Sequence, residues 1–317
     1  MMNRRTVDGQ RLLKGMVWIG AVIAAAVVLL RVWLLPAMAD WQTGMFTSNY
    51  WVIGLMVGAL AALVIMRYLG ASERREIVGA GAMAVALTSM LAGAVMAVFG
   101  AVDLLKLYGL VGLVADGSVS PILSTLEYGF SLMGGLALIR LGLALLTEGA
   151  TRRGIAQWSI LAPVLWAWFR LISYEMSYAS MVRIEDNFFG LVMLIVELLF
   201  LFRLARFVSG IGRVGASSLM LHAMATVLFA VSGPLTRVGM YLLQDTMAVE
   251  AYHLAGPTDM AVGVLALVVG ISLLGGAEVV QFVEEPVSDV MDKEAEEASA
   301  FAAADLLLDV VDEDDGE

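Results

Sequence analysis

Cysteine is absent from the 317 residues, which excludes disulfides, thiolate metal sites, palmitoylation and prenylation and leaves the redox compartment unread. Histidine is scarce as well. His222 and His253 are too few for a His-rich metal site, and no motif asks for a metal or another cofactor. The sequence also lacks H-E-x-x-H, a paired-aspartate motif, a P-loop and G-x-S-x-G, so metal hydrolysis, phosphate cradling and serine-based acyl transfer are without their usual parts. It leans away from an enzyme. Charge is the last scarcity: 15% of residues are charged while 60% are hydrophobic, with a mean hydropathy of +0.86. A soluble domain carries about a quarter charged residues, and lipid is the solvent that suits this composition.

The net charge of −11 is local. Positions 284–317 hold fourteen acidic residues and one lysine, for −13, so the remaining 283 residues carry +2. Such a tail is repelled by anionic lipid and by nucleic acid, so no nucleic-acid partner is expected. Its apolar patch around Phe301, Leu306, Leu307, Leu308, Val310 and Val311 fits either a solvated tail or a docking peptide for a cytoplasmic protein.

Runs long enough for a hydrocarbon core of ~30 Å fall at 15–36, 51–70, 77–100, 129–147, 155–176, 188–207, 216–243 and 259–282. Each must be helical, because an isolated strand leaves its backbone unsatisfied in lipid. Gly233-Pro234 predicts a kink or an interfacial turn within the seventh. The expected fold is therefore all-α: an integral membrane bundle with eight transmembrane helices over 15–282, a basic segment 1–14 before it and an acidic tail 283–317 after it.

Basic residues set the orientation. Arg4, Arg5, Arg11 and Lys14, then Arg67, Arg74 and Arg75, Arg152 and Arg153, Arg203, Arg206 and Arg213, and finally Lys293 share one side. Arg31, Lys106, Arg183 and Arg237 fall on the other. Both termini are expected in the cytoplasm. The same pattern makes 104–123 an external interfacial or re-entrant element rather than a ninth span, with Asp103, Asp116 and Glu127 solvating its ends. The basic start followed by Ala37-x-Ala39 resembles a cleavable signal peptide, but the apolar run exceeds an ordinary h-region and reads better as a retained span.

Small residues at four-residue spacing, Gly54, Gly58 and Ala62 in span two and Ser89, Gly93 and Ala97 in span three, let helix backbones approach closely. They suit packing within the bundle or a homodimer face. Trp33, Trp41 and Trp51 suit anchoring at the external headgroups and Trp158 at the cytoplasmic ones.

The charges inside the apolar runs matter most. Arg140, Arg170 and Glu197 stand near the middle of spans four, five and six. Spans five and six are consecutive and antiparallel, so Arg170 and Glu197 are placed to pair. An ionised group at mid-membrane costs roughly 2.5–3.5 kcal/mol on insertion scales and normally finds a partner in the bundle interior. Trp166, Arg170 and Tyr174 recur every four residues and share a face. With two arginines against one glutamate, that face suits a small anionic or amphipathic solute; the plainer reading is an ionic staple between helices. His222 and Glu278, both toward the cytoplasmic side, could form a proton relay, although a histidine satisfied by its neighbours is the commoner arrangement. His253, beside Pro257 and Asp259, reads as part of a turn before span eight.

The segments PVLWAWFRLISYEMSY and NFFGLVMLIVELLFLFRLARF resemble a group of uncharacterised polytopic bacterial membrane proteins, which share an aromatic-arginine span followed by a polar-tipped one. The resemblance implies a bacterial plasma membrane and brings no activity. Transport through a midplane site is the leading expectation; a membrane scaffold that recruits a partner through the acidic tail is the alternative.

Overall fold

A computed structural model describes residues 9–40, 45–46, 50–69, 75–110, 120–148, 159–178, 184–210, 215–243 and 256–278. The acidic tail, His253, Asp116 and the first eight residues of the basic segment lie outside them.

The described chain is helical. Helices α1 (Gly9–Met38), α2 (Tyr50–Leu69), α3 (Ala80–Leu107) and α4 (Pro121–Glu148) are followed by a 3₁₀ turn (Ser159–Leu161), α5 (Ala162–Tyr178) and α6 (Ile184–Ser209). Helix α7 (Ala216–Thr226) runs through a π segment (Val227–Val231) into α8 (Ser232–Leu243), and α9 (Pro257–Leu274) closes the bundle. Two short antiparallel pairings join loops: β1 (Ala39–Asp40) with β2 (Met45–Phe46), and β3 (Arg75–Glu76) with β4 (Ala277–Glu278).

Among the described residues, six segments are long and apolar enough to cross a membrane: Gln10–Trp33, Trp51–Leu69, Ala80–Leu107, Pro121–Thr147, Ala216–Thr236 and Pro257–Leu274. Their outward faces are apolar as well as their inward ones, with Leu29, Ile65, Leu91, Val98, Met133, Leu136 and Ile271 all exposed. Apolar character all round a helix, rather than on one stripe, is compatible with a polytopic membrane protein. The fifth and sixth expected spans are helical but fall short on that scale. Helix α5 has 17 residues, about 26 Å of rise, and α6 carries Glu197, Arg203 and Arg206.

Helix α7 is the central element, with Ala216–Ala230 buried at every position but His222 and with α1, α6 and α9 packed around it. Pro234 does not break the following helix. It has no N–H and its ring crowds the carbonyl four residues back; the wider π turn just upstream makes room, as such bulges do. Ser232 Oγ donates to Leu228 O at 2.5 Å and Thr236 Oγ1 to Ser232 O at 2.7 Å, satisfying carbonyls around the irregular turn.

The α3–α4 hairpin is set by glycine. A Cβ on Gly93 would lie 2.4 Å from Gly135 O, one on Gly135 would lie 2.4 Å from Gly93 O, and one on Gly142 would lie 2.5 Å from Ala86 O. Small residues thus bring the two backbones into direct apposition. The expected packing role of Gly93 is met, whereas Gly54 and Gly58 of α2 face open space within this chain. The hairpin is also longer than the sequence suggested. Leu104–Leu107 belong to α3, and α4 starts at Pro121, so the described ends of the expected re-entrant element are ordinary helix.

Helix direction follows from these contacts. Phe130 stacks on Phe169 with centroids 5.2 Å apart, placing α5 antiparallel to α4. Ser272 Oγ donates to Gly81 O at 3.2 Å, and Arg75 is in register with Glu278, placing α9 antiparallel to α3. The C-terminal ends of α3 and α5 and the N-terminal ends of α4 and α9 therefore share one end of the bundle.

Candidate functional site

At that end, four helices bring charged side chains together around Arg170. Its helix presents Trp166 one turn earlier, buried to 3% exposure, and the guanidinium lies over the indole at 5.2 Å from the ring centroid. The fork does not reach across to Glu197. It closes on Asp259 of α9: Nη2 donates to Oδ2 at 2.7 Å and Nη1 donates to Oδ1. A planar guanidinium meeting both oxygens of one carboxylate is the strongest form of this pair.

Asp259 is prepared for that role by its own helix. Gly256 caps α9, Pro257 takes the first helical position, and Asp259 in the first turn accepts the Gly256 N–H at 2.6 Å through Oδ2. Pro at the first position and a carboxylate in the first turn are the expected chemistry of a helix start, where the dipole favours negative charge. Asp259 is completely buried. A turn residue before span eight is therefore half of a long-range ion pair, and this corrects the expected Arg170–Glu197 partnership: a carboxylate already oriented by a backbone N–H offers both oxygens in the plane the fork requires.

Glu197 remains close by. Its side chain has 0% exposure, it interacts electrostatically with both Arg170 and Asp259, and among the described residues neither of its oxygens receives a hydrogen bond. Glu127 of α4 joins from the other side, with the Ser173 hydroxyl as its side-chain hydrogen-bond partner and with Arg170, Asp103 and Asp259 in its field. Contrary to expectation, Glu127 does not merely solvate a loop: it lies inside α4 and turns toward α5.

Depth can be read from helical rise. At 1.5 Å per residue, Glu127 stands about 9 Å, Arg170 about 12 Å and Glu197 about 20 Å along its own helix from the end on this side; Asp259 is in the first turn of α9 yet bonds Arg170, so α9 begins inside the bundle at the depth of that pair. Asp103, with 37% of its side chain exposed, sits at the mouth beside Lys106 at 3.4 Å. The Arg170 side chain keeps 21% exposure. A polar cluster thus runs from one end of an apolar bundle to its middle and closes on Glu197.

Arg140 is not part of it. It is exposed on α4, along the same outer stripe as Met133, Leu136 and Leu143, because the inner face is occupied by Gly135, Leu138, Leu141, Gly142 and Leu145. Since α4 extends over Pro121–Glu148, Arg140 lies about 12 Å from its C-terminal end, within reach of an interface for a side chain that snorkels. The expected surplus of positive charge is reversed: one guanidinium meets the carboxyl groups of Asp259, Glu197 and Glu127.

Trp166, Arg170 and Tyr174 do share the inward face, with Tyr174 half-buried against the core, whereas Trp168 and Glu175 are exposed. Arg31, expected on the external side, is buried within α1. Of the expected His222–Glu278 relay, the side chain of His222 alone is among those described. His222 Nδ1 donates to Ser218 O at 2.7 Å in its own helix, and its charged neighbours are Arg203 and Arg67. Glu278 is not on a span, because α9 stops at Leu274 ahead of Gly275 and Gly276 and Glu278 enters β4 opposite Arg75. Among the described residues, no group of three or more His, Asp or Glu side chains is arranged to hold a metal ion.

Sequence reasoning missed Asp259 and Glu127 as site residues because both looked like span termini. The signal for Asp259 was local: Gly256-Pro257-Thr258-Asp259 is a helix start with its carboxylate in the first turn. No family model, curated protein or solved structure matches the chain.

Proposed function

We propose that this is an eight-span protein of a bacterial plasma membrane, with both termini in the cytoplasm, that moves a small solute through the site around Arg170. The observation that carries the reading is the partly exposed Arg170–Asp259 pair with the unpartnered Glu197 behind it, set among helices that are otherwise apolar. Ionisable groups at such depth are costly and commonly mark a substrate or ion pathway. On this reading α5 and α6 also cross the membrane, α6 tolerating Glu197 because it faces the bundle interior and Arg203 and Arg206 because they approach its cytoplasmic end. The β3–β4 pairing supports the topology, since it puts the α2–α3 loop and the chain after α9 on one side, as the distribution of arginines requires. The carboxyl groups outnumber the guanidinium, so a cationic or proton-coupled solute fits better than the anionic one that Arg140 suggested.

Water access separates a site from a dry staple. In this chain without cysteine, Glu127→Cys, at a partly exposed position of α4, should react with a small membrane-impermeant thiol reagent applied to the outside of intact cells. Leu141→Cys, in the core of α4, should not. A Glu127→Cys thiol as inert as that control would refute the transport reading.

A further inference from the structure

We propose that Glu197 is a proton-binding site, loaded from the side onto which Asp103 and Glu127 open. As the coupling ion, this proton rests on the transport reading above; as a bound proton, it rests on the geometry of Glu197 alone. The carboxyl is fully buried at mid-helix, and among the described residues no backbone or side-chain donor reaches either oxygen. A buried carboxylate without donors or a cation of its own is among the least favourable states a side chain can adopt, and gaining a proton removes its charge.

The surroundings supply no alternative compensation. From α5 the facing group is Arg170, and from α9 it is Asp259, already joined to each other through both oxygens. The one ionisable side chain of α7, His222, is engaged with Ser218 O, and neither the π segment Val227–Val231 nor the 3₁₀ turn Ser159–Leu161 contains an ionisable residue. On α6 itself, Arg203 and Arg206 lie six and nine residues further on, about 9 Å and about 14 Å along the axis. One guanidinium therefore bonds a single carboxylate, that of Asp259, with Glu197 and Glu127 left in its field.

Asp259 and Glu197 lie in each other's field. Two carboxylates so placed repel, and a proton on one of them removes the repulsion. Asp259 already has the fork and the Gly256 N–H as donors, so the proton falls to Glu197. A proton entering from water crosses Glu127 and is taken up by the Glu197 carboxylate as an O–H bond, and it leaves as hydronium when that bond breaks. No redox partner is involved. A proton fits better than a metal ion because no described trio of carboxyl or imidazole groups is arranged for coordination, whereas a proton needs only the two carboxyls.

Infrared spectroscopy of the full chain reconstituted in lipid tests the assignment. Wild type should show the carbonyl stretch of a protonated carboxyl that shifts on transfer into heavy water and is unchanged by replacing potassium with sodium. Glu197→Gln, which mimics the protonated form, should lose that band; Glu197→Asp should retain it at an altered frequency, which keeps the test open if the amide variant fails to accumulate. A band that persists unaltered in both variants, fails to exchange with heavy water or is abolished by sodium overturns the proton site. A reactive Glu127→Cys thiol without a Glu197 band would leave the solute site and remove the proton; a Glu197 band with an inert Glu127→Cys thiol would leave the proton and remove transport.

Discussion

Breaking the Arg170–Asp259 pair from one side should cost more than removing it whole. Two unit charges about 4 Å apart interact by about 4 kcal/mol at an effective dielectric of 20, and losing one member of a buried pair typically costs about 3–5 kcal/mol because the other is left uncompensated. The 21% exposure of the Arg170 side chain lets water screen part of this, which places Arg170→Leu near the lower end, about 3 kcal/mol. Asp259→Asn keeps an acceptor for the Gly256 N–H but strands the guanidinium, for a similar loss. In the double variant Arg170→Leu/Asp259→Asn the stranded charge disappears. What remains is the exchange of a charged for a neutral acceptor at the α9 start, about 1 kcal/mol. Reversible unfolding of purified wild type, both single variants and the double variant should therefore give a coupling energy of several kcal/mol. Single variants within about 0.5 kcal/mol of wild type, or a double variant whose loss equals the sum of the singles, would refute the pairing.

The same unfolding assay should find Glu197→Leu no less stable than wild type, and up to about 1–3 kcal/mol more stable, because an unsatisfied buried carboxyl is removed; a loss comparable to that of Arg170→Leu would show that Glu197 holds the helices together. Gly135→Ala should sharply lower the amount of folded protein recovered from membranes, since its Cβ would meet the backbone of α3 at 2.4 Å and 2.6 Å, while Gly58→Ala, facing open space in this chain, should match wild type; equal recovery would refute the backbone apposition of α3 and α4. On topology, an impermeant thiol reagent outside intact cells should label Leu110→Cys, at the end of the bundle that holds Asp103, and leave Leu69→Cys, at the opposite end, untouched; the reverse result would invert the orientation.

Long apolar runs were legible because a helix is the only structure in which each can satisfy its own backbone in lipid, and their boundaries slipped where hydropathy is a poor guide. Residues 121–128, divided between the expected re-entrant element and the approach to span four, form the first two turns of α4. The seventh run was read correctly in extent, but Gly233-Pro234 exerts its effect upstream, through a π turn that hydrophobicity cannot show. Within the site, the inward face of α5 was legible from the four-residue spacing of Trp166, Arg170 and Tyr174. The partner of Arg170 was not. Proximity in sequence favoured Glu197, while the carboxylate actually engaged is 89 residues away, and what selects it is a helix N-terminus folding back onto α5. Arg140 misled for a related reason: depth along a helix could be guessed, but the outer stripe it shares with Met133 and Leu136 became evident only once glycine fixed the inner face of α4.

A structural staple and a functional site make different demands on charge. A staple between α5 and α9 is complete with Arg170, Asp259 and the Gly256 N–H, and gains nothing from further acids. Glu127 and Glu197 add like charges to a neighbourhood of low dielectric, where they weaken the pair by competing for its only guanidinium and bear the cost of burial themselves. Stability alone offers no reason to keep them, since an apolar residue at either position would pack without that penalty. They also fall in a graded order, from the exposed Asp103 through the partly exposed Glu127 to the sealed Glu197, and Arg170 and Asp259 lie between. Groups that violate local stability rules in a spatial sequence leading inward from an aqueous surface are the expected signature of a path for charge. On the proposed reading the pair serves that path as its anchor: Arg170 and the Gly256 N–H occupy Asp259, which leaves Glu197 as the group that takes up and releases the proton.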